Sequence, residues 1–248
     1  MHKAIAVISD IHSNLEALEA VLADLKSQEV SEIVCLGDIV GYASGVKSCM
    51  RVVQELDCPV VMGNHDEAAC LPSPPDDFNE AARFGAQFSA RRLTAMDRSW
   101  LSTLPRNVEI DGVLFTHASL ESPSLWNYIL SRDDARRHFA HQTTHLAFCG
   151  HTHTPVMWFQ ASPDGHVIEY AGKDQLAFPS MARFWLMWDR LVNHGMVITV
   201  PAMSFIIRIR GALNFVVWTT TLSAQRKRSY GLGFHGFQHK DFPWGDNL

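Results

Sequence analysis

A chain of 248 residues with 47% hydrophobic and 19% charged side chains is long enough to bury a full core, and its composition excludes a disordered, collagen-like or coiled-coil chain. Its formal charge of −5 argues against a protein that coats nucleic acid, which needs a basic surface. The charge is uneven: residues 208–248 carry net +4, which leaves −9 for residues 1–207, and the basic end is read as a solvated tail.

In chain order, Ala4–Ser9 is a short, nearly all-apolar run that predicts a strand buried on both faces. It is too short for a secretory leader, and Asp10 follows at once. Ser13, with Glu16 three residues on, predicts a capped helix whose buried stripe is Leu15, Leu18, Val21, Leu22 and Leu25. Glu32–Leu36 predicts a second strand, Val46–Leu56 a second helix and Pro59–Met62 a third strand. That βαβαβ order predicts a parallel sheet with right-handed crossovers.

Residues 71–77 read as a loop, and a helical stretch then runs to about Leu104. Asn107–Ile110 and Val113–Thr116 flank Asp111-Gly112, a pair that supplies the positive φ angles of a type I′ hairpin. A polar helix from about Asp133 to His141, a strand over His145–Cys149 and a second hairpin, Pro155–Phe159 with His166–Tyr170, complete the legible part. Beyond residue 172 the pattern assigns no elements. The charge-free runs 196–207 and 211–225 are split by Arg208 and Arg210 and fall short of the ~18 residues that a membrane span needs. Five cysteines without a C-x-x-C pair read as free thiols of a reducing cytoplasm, with Cys35 and Cys149 in the core. The whole chain reads as one domain, with residues 171–248 the divergent part.

The chemistry stands at the strand ends. Asp10-Ile11-His12 follows the first strand, Gly37-Asp38 the second, Gly63-Asn64-His65-Asp66 the third, His117 the hairpin and Gly150-His151-Thr152-His153 the later strand. Carboxyl ends of strands in an open α/β sheet share one edge, where ligands bind. Asp10, His12, Asp38, Asn64, His65, His117, His151 and His153 would therefore meet on one rim. Mixed His, Asp and Asn donors suit Mn, Fe, Zn or Ni rather than Ca or Mg. A carboxylate shared by two cations would make a two-metal site with ions ~3.5–4 Å apart.

D-x-H, G-D, G-N-H-D, a single His and G-H-x-H, in this order, resemble the signature of the calcineurin-like metallophosphoesterases. The stretches Ser9–Leu15 and Leu36–Tyr42 are most similar to their bacterial and archaeal phosphodiesterase-like branch. The resemblance covers roughly residues 3–158. It implies a four-layer α/β/β/α sandwich of two mixed sheets flanked by helices. It also implies two divalent transition-metal ions, with Mn²⁺ the first expectation. Asp10, His12 and His153 would hold one ion, Asn64, His117 and His151 the other, and Asp38 would bridge them. His65 would give the leaving group its proton, oriented by Asp66. The activity implied is hydrolysis of a small phosphate ester, with no nucleic acid or membrane partner.

Serine/threonine phosphatases and dinucleoside polyphosphate hydrolases share D-x-H and G-D, and the latter are the principal alternative. Both normally continue Gly-Asp into Arg-Gly, whereas this chain reads Gly37-Asp38-Ile39-Val40-Gly41-Tyr42. An interaction module on the same fold would lack part of the ligand set, which is complete here.

Other residues take the ordinary reading. His138, His141 and His145 are expected on a solvated helix face, and Arg91, Arg92, Arg136 and Arg137 at the surface. Trp126 and Tyr128 follow His117 in a segment that the resembled family uses near the active-site mouth and either stack on a base or pack in the core, the core being the first expectation, while Tyr42 and Asn14 adjoin the motifs and either line the cleft or pack locally. In the tail, Val192–Val197 keeps the Asn and Gly of a segment that relatives place on a late strand, and His194, His235 and His239 fall in no motif.

Overall fold

A computed structural model describes residues 3–26, 30–154, 156–160, 162, 165–170, 196–199, 205–209 and 217–219. His194, His235, His239 and most of the Val192–Val197 segment lie outside the described residues. The strands are β1 Lys3–Ile8, β2 Glu32–Cys35, β3 Asn107–Ile110, β4 Val113–Thr116, β5 Leu146–Cys149, β6 Val156–Gln160, β7 Val167–Tyr170, β8 Met196–Thr199, β9 Phe205–Ile209 and β10 Val217–Thr219. The helices are α1 Leu15–Leu25, α2 Val46–Glu55, α3 Asn64–Ala68, α4 Glu80–Ala90, α5 Ala95–Thr103 and α6 Arg132–Phe139. No described helix is long and apolar enough to cross a membrane.

The strands form two mixed sheets, one in the order β10-β9-β1-β2 and the other β3-β4-β5-β8-β6-β7. β1 pairs parallel with β2, and β4, β5 and β8 run parallel to one another. The mixed α/β architecture expected from the sequence is present. Two elements that the sequence left unassigned build it: β9 lies antiparallel along β1, and β8 sits between β5 and β6.

Alternation along each strand explains the packing. Ala6, Ile8 and Cys35 share a buried cluster with Leu18, Val21 and Leu25 of α1 and Cys49, Met50 and Val53 of α2. Ile5, Val7 and Val34 point the other way and are also fully buried. In the larger sheet, Leu114, Ala147 and Cys149 pack with Ala135 and Phe139 of α6. Phe115 and Phe148 face away from them and stack with ring centroids 5.8 Å apart. Ile5–Ile8 of β1 and the whole of β4 and β5 are thus buried on both faces.

Several local expectations are corrected. Asn14, not Ser13, caps α1: its side chain accepts from the Ala17 N–H, while Ser13 sits at φ 57°. Pro59–Met62 is no strand. Val60 makes one isolated bridge to Cys35, and Met62 then leaves the sheet to donate to Pro105 O. The helical stretch before Pro105 is two helices, because the Thr94–Asp97 capping box restarts it as α5. The hairpin over 107–116 matches its prediction, with Asp111 at φ 52° and Gly112 at φ 76°.

His141 and His145 are exposed, but His138 is fully buried on the Ala135–Phe139 stripe of α6, where its Nδ1 accepts the Leu120 N–H. Burial lowers its pKa to about 3. A His that folds neutral stabilises fully above its unfolded pKa near 6.5, and this contribution is lost as pH falls towards 3. The stability advantage of wild type over His138→Leu should therefore shrink by about 1.4 kcal/mol per pH unit below 6.5. Denaturant titrations at pH 7.0, 6.0 and 5.0 measure this, and a pH-independent difference would refute the neutral buried state.

Candidate metal centre

The loops that follow β1 and β2 run side by side. Asp10 N–H donates to Gly37 O, His12 N–H to Asp38 O and Ser13 N–H to Ile39 O, at 2.8–3.1 Å. Strand pairing thus continues past the strand ends and carries Asp10 and Asp38 to one place. The other sheet meets them there: Gly150 N–H donates to His117 O, and the His117 ring donates from Nδ1 to Leu36 O at 2.7 Å.

Tight turns aim the side chains. Asp10, His12, Asp38, His151 and His153 all have φ between 47° and 67°. Non-glycine residues in that region cost about 1 kcal/mol or more each, and Asp, Asn and His tolerate it best. Five such residues on one rim mark a place where geometry is held against local preference.

The donors converge. Asp10 Oδ1 lies 3.2 Å from His153 Nε2, and His12 Nε2 lies 3.1 Å from His153 Nε2. His117 Nε2 lies 3.0 Å from Asn64 Oδ1. Asp38 Oδ2 faces both groups, 3.6 Å from His12 Nε2 and 3.4 Å from His117 Nε2. Its other oxygen accepts the His65 backbone N–H at 2.8 Å, which fixes the direction of Oδ2. Asp10-His12-His153 and Asp38-His117-His151 each bring one donor atom per residue within 4.8 Å of the others. His12, Asp38 and His65 do so too. All seven residues expected as ligands, and His65, therefore stand at one site.

The donor set fits divalent cations. Ligands 2.0–2.2 Å from one ion stand about 3–3.5 Å apart, as these atoms do. Each of three rings spends one nitrogen on a backbone carbonyl: His12 Nδ1 on Val40 O, His117 Nδ1 on Leu36 O, and His151 Nε2 on Trp126 O. A carbonyl only accepts, so the N–H sits there. The opposite nitrogen of each ring is then turned to the centre, the arrangement that orients histidine ligands.

Charge agrees with geometry. Burial alone would raise the Asp10 carboxyl, yet the His153 hydrogen bond and the charges on His117 and His153 bring it down to about 2. Burial likewise opposes ionisation of Asp38, but His117, His65 and His12 hold it well below the usual carboxylate range. Burial lowers His12 to about 4 and His151 to about 3, so both rings are neutral at pH 7. His117 is raised to about 9, and His153 is also raised, because against the cost of burial each faces a carboxylate: Asp38 for His117 and Asp10 for His153. Protons on those two rings supply positive charge that bound cations would replace.

Gly150 is demanded by this crowding. A Cβ there would collide with Ser9 Oγ and lie 2.6 Å from Asp10 Oδ2. Asp10 has no room to give, since its carboxylate accepts the His151 N–H and the Ser9 hydroxyl. Gly150→Ala should cost about 1–3 kcal/mol of stability and weaken metal binding at least about tenfold. Denaturant and metal titrations check both, and an unchanged affinity would refute the crowding.

Several residues stand where the sequence did not put them. The Asp66 carboxylate does not reach His65. It accepts the backbone N–H groups of Ile39, Val40 and Gly63, pinning the loops that carry Asp38 and Asn64. His65 instead lies among Tyr42, His12 and Phe78, with ring centroids 4.7–4.9 Å away and its buried Nδ1 unpartnered. Trp126 and Tyr128 are not core: Trp126 is half-buried and Tyr128 exposed, and both adjoin ligand rings. Tyr42 borders the site, whereas Asn14 is spent on its cap. Arg91, Arg92, Arg136 and Arg137 are exposed, as expected.

Sequence reasoning missed Glu67, Arg106 and Phe78. Glu67 accepts from Trp126 Nε1 at 2.7 Å and from Arg106 Nη2 at 2.5 Å, and so holds the segment whose Trp126 carbonyl fixes His151. Adjacency to the G-N-H-D motif is the one signal that pointed to Glu67. Phe78 stands alone in a proline- and acid-rich loop with no periodicity to reveal it.

Residues 4–172 match the family model of the calcineurin-like phosphoesterase superfamily domain. An uncharacterized protein of Methanocaldococcus jannaschii is 36% identical over 175 residues, covering 68% of this chain and 69% of its own. A metallophosphoesterase from Sphaerobacter thermophilus superposes with a TM-score of 0.67 at 26% identity, over 92% of each chain. A hypothetical protein from Pyrococcus horikoshii has the same fold, with a TM-score of 0.62 at 13% identity over 91% of each chain.

Proposed function

Because the chain belongs to the calcineurin-like phosphoesterase superfamily, we propose that it hydrolyses small phosphate esters at a centre of two divalent transition-metal ions, with Mn²⁺ as the working metal. The observation that carries this reading is the single oxygen Asp38 Oδ2, which faces His12 Nε2 and His117 Nε2 at 3.6 and 3.4 Å. Asp10, His12 and His153 would hold one ion and Asn64, His117 and His151 the other, with Asp38 shared. The ions would supply Lewis-acid charge to the phosphoryl oxygens and make water nucleophilic at neutral pH.

The chain's own residues do the rest. The His65 N–H and the amides gathered by Asp66 keep Asp38 and Asn64 in place. Water adds to phosphorus as the P–O bond to the alcohol breaks, and the His65 ring gives the leaving oxygen its proton. Burial, partly offset by Asp38, keeps His65 below its ordinary pKa, so the proton-bearing ring that acts is the minor form at pH 7. Asp66 is a positioning residue here, acting through the backbone.

A diester or monoester of one phosphate suits the site better than a polyphosphate. Extra phosphates need cations, and among the described residues Arg106, which adjoins the site, is spent on Glu67. With Mn²⁺ added, bis(p-nitrophenyl) phosphate should be turned over and phosphoserine peptides should be poor substrates. Efficient phosphopeptide hydrolysis without diesterase activity would reverse the assignment.

A further inference from the structure

The mouth of the centre is aromatic. Tyr128 lies flat against the His151 ring, with centroids 3.8 Å apart and planes 16° from parallel, yet remains 51% exposed. Tyr42, 39% exposed, stands edge-on to His12 and tilted over His65, both at 4.7 Å. Phe78 covers His65 from a third loop at 4.9 Å, on a turn that Arg83 holds by donating to the Asp76 and Phe78 carbonyls. Three loops thus each bring one incompletely buried ring to the same rim, an arrangement that core packing does not require.

Each ring leaves part of a flat π-face open at the rim, and such a face stacks best on another flat π-system.

Resting on the phosphoesterase reading, we propose that Tyr42, Phe78 and Tyr128 form a subsite for a planar aromatic group carried by the ester, a nucleobase or an aryl ring. His65 lies between Tyr42 and Phe78, so this group belongs to the alcohol that leaves. Stacking tolerates any π-face, which makes the class rather than one base the determinant.

Two matched pairs of monoesters test this: AMP against ribose 5-phosphate, and 2-phenylethyl phosphate against 2-cyclohexylethyl phosphate. Within each pair the leaving alcohols have similar acidity, so a ratio of kcat/KM reads the ring and not the chemistry. Wild type with Mn²⁺ should favour the aromatic member by about tenfold or more in at least one pair. The responding pair identifies the group as nucleobase or aryl. Tyr42→Leu and Tyr128→Leu should each pull that ratio towards one, in protein whose melting curve shows it folded.

Ratios near one in both pairs, or a wild-type preference that neither variant changes, would overturn the subsite while hydrolysis stands. If no ester is turned over, bis(p-nitrophenyl) phosphate included, the phosphoesterase reading falls instead. Calorimetric titration of AMP and ribose 5-phosphate into the Mn²⁺-loaded protein then decides the subsite alone. Tighter AMP supports it, and equal or absent binding overturns it.

Discussion

Asp38→Asn should lose metal and turnover together, with kcat/KM falling at least about 10³-fold. The exchange keeps size and one acceptor oxygen but removes the charge that two groups of donors share. Asp38 is fully buried, and both its oxygens are committed: Oδ1 to the His65 N–H, Oδ2 to the space between His12 and His117. An amide can put its oxygen in only one of those places. If the oxygen keeps the His65 bond, an NH₂ group is aimed where a cation should sit. Metal analysis and kinetics on the same preparation check this, and a variant that binds two ions and works normally would remove Asp38 from the centre.

His65→Asn should behave differently. Metal content should stay near two, while turnover of esters with alkoxide-like leaving groups slows by about 10²–10⁴-fold. The loss should shrink for p-nitrophenyl esters, whose leaving anion is stable without a proton. Because His65 also falls within 4.8 Å of His12 and Asp38 donor atoms, metal content separates the two roles it could play. A variant that loses an ion, or is fully active on both ester types, would show that His65 is a ligand or a bystander and not the proton donor.

The five donor clusters are legible because each is a short run, four of them at strand ends and Gly63-Asn64-His65-Asp66 after the single Val60–Cys35 bridge, and such runs are strong local signals. Asp10, Asp38 and Gly150-His151 needed no knowledge of long-range contacts to be found. Their convergence followed from one rule about strand edges, and the hydrogen bonds between the loops after β1 and β2 carry that rule out. The hairpin at Asp111-Gly112 was legible for the same local reason, the need for two positive φ angles.

What escaped was non-local or fell between two local signals. Ser13 and Asn14 are both good helix caps, and only the turn that swings His12 into the site decides for Asn14. The Thr94–Asp97 box was visible, yet the apolar pattern runs through it and hid the break between α4 and α5. Nothing near Phe205 indicates that β9 pairs with β1, at the other end of the chain. His138 was misplaced because it was grouped with His141 and His145, whereas the buried stripe of α6 runs through Ala135 and Phe139. Trp126 and Tyr128 read first as core rings and second as rings over a bound base, and polar partners that no local pattern reveals, Glu67 and His151, hold them at the mouth of the site.

The most direct test of the account is the stoichiometry of metal binding. Protein stripped with a chelator and titrated with Mn²⁺ should take up two ions per chain, with elemental analysis of the desalted product approaching two equivalents. A saturating stoichiometry of one or zero would contradict the shared carboxylate of Asp38, and with it the centre on which the proposed hydrolysis depends.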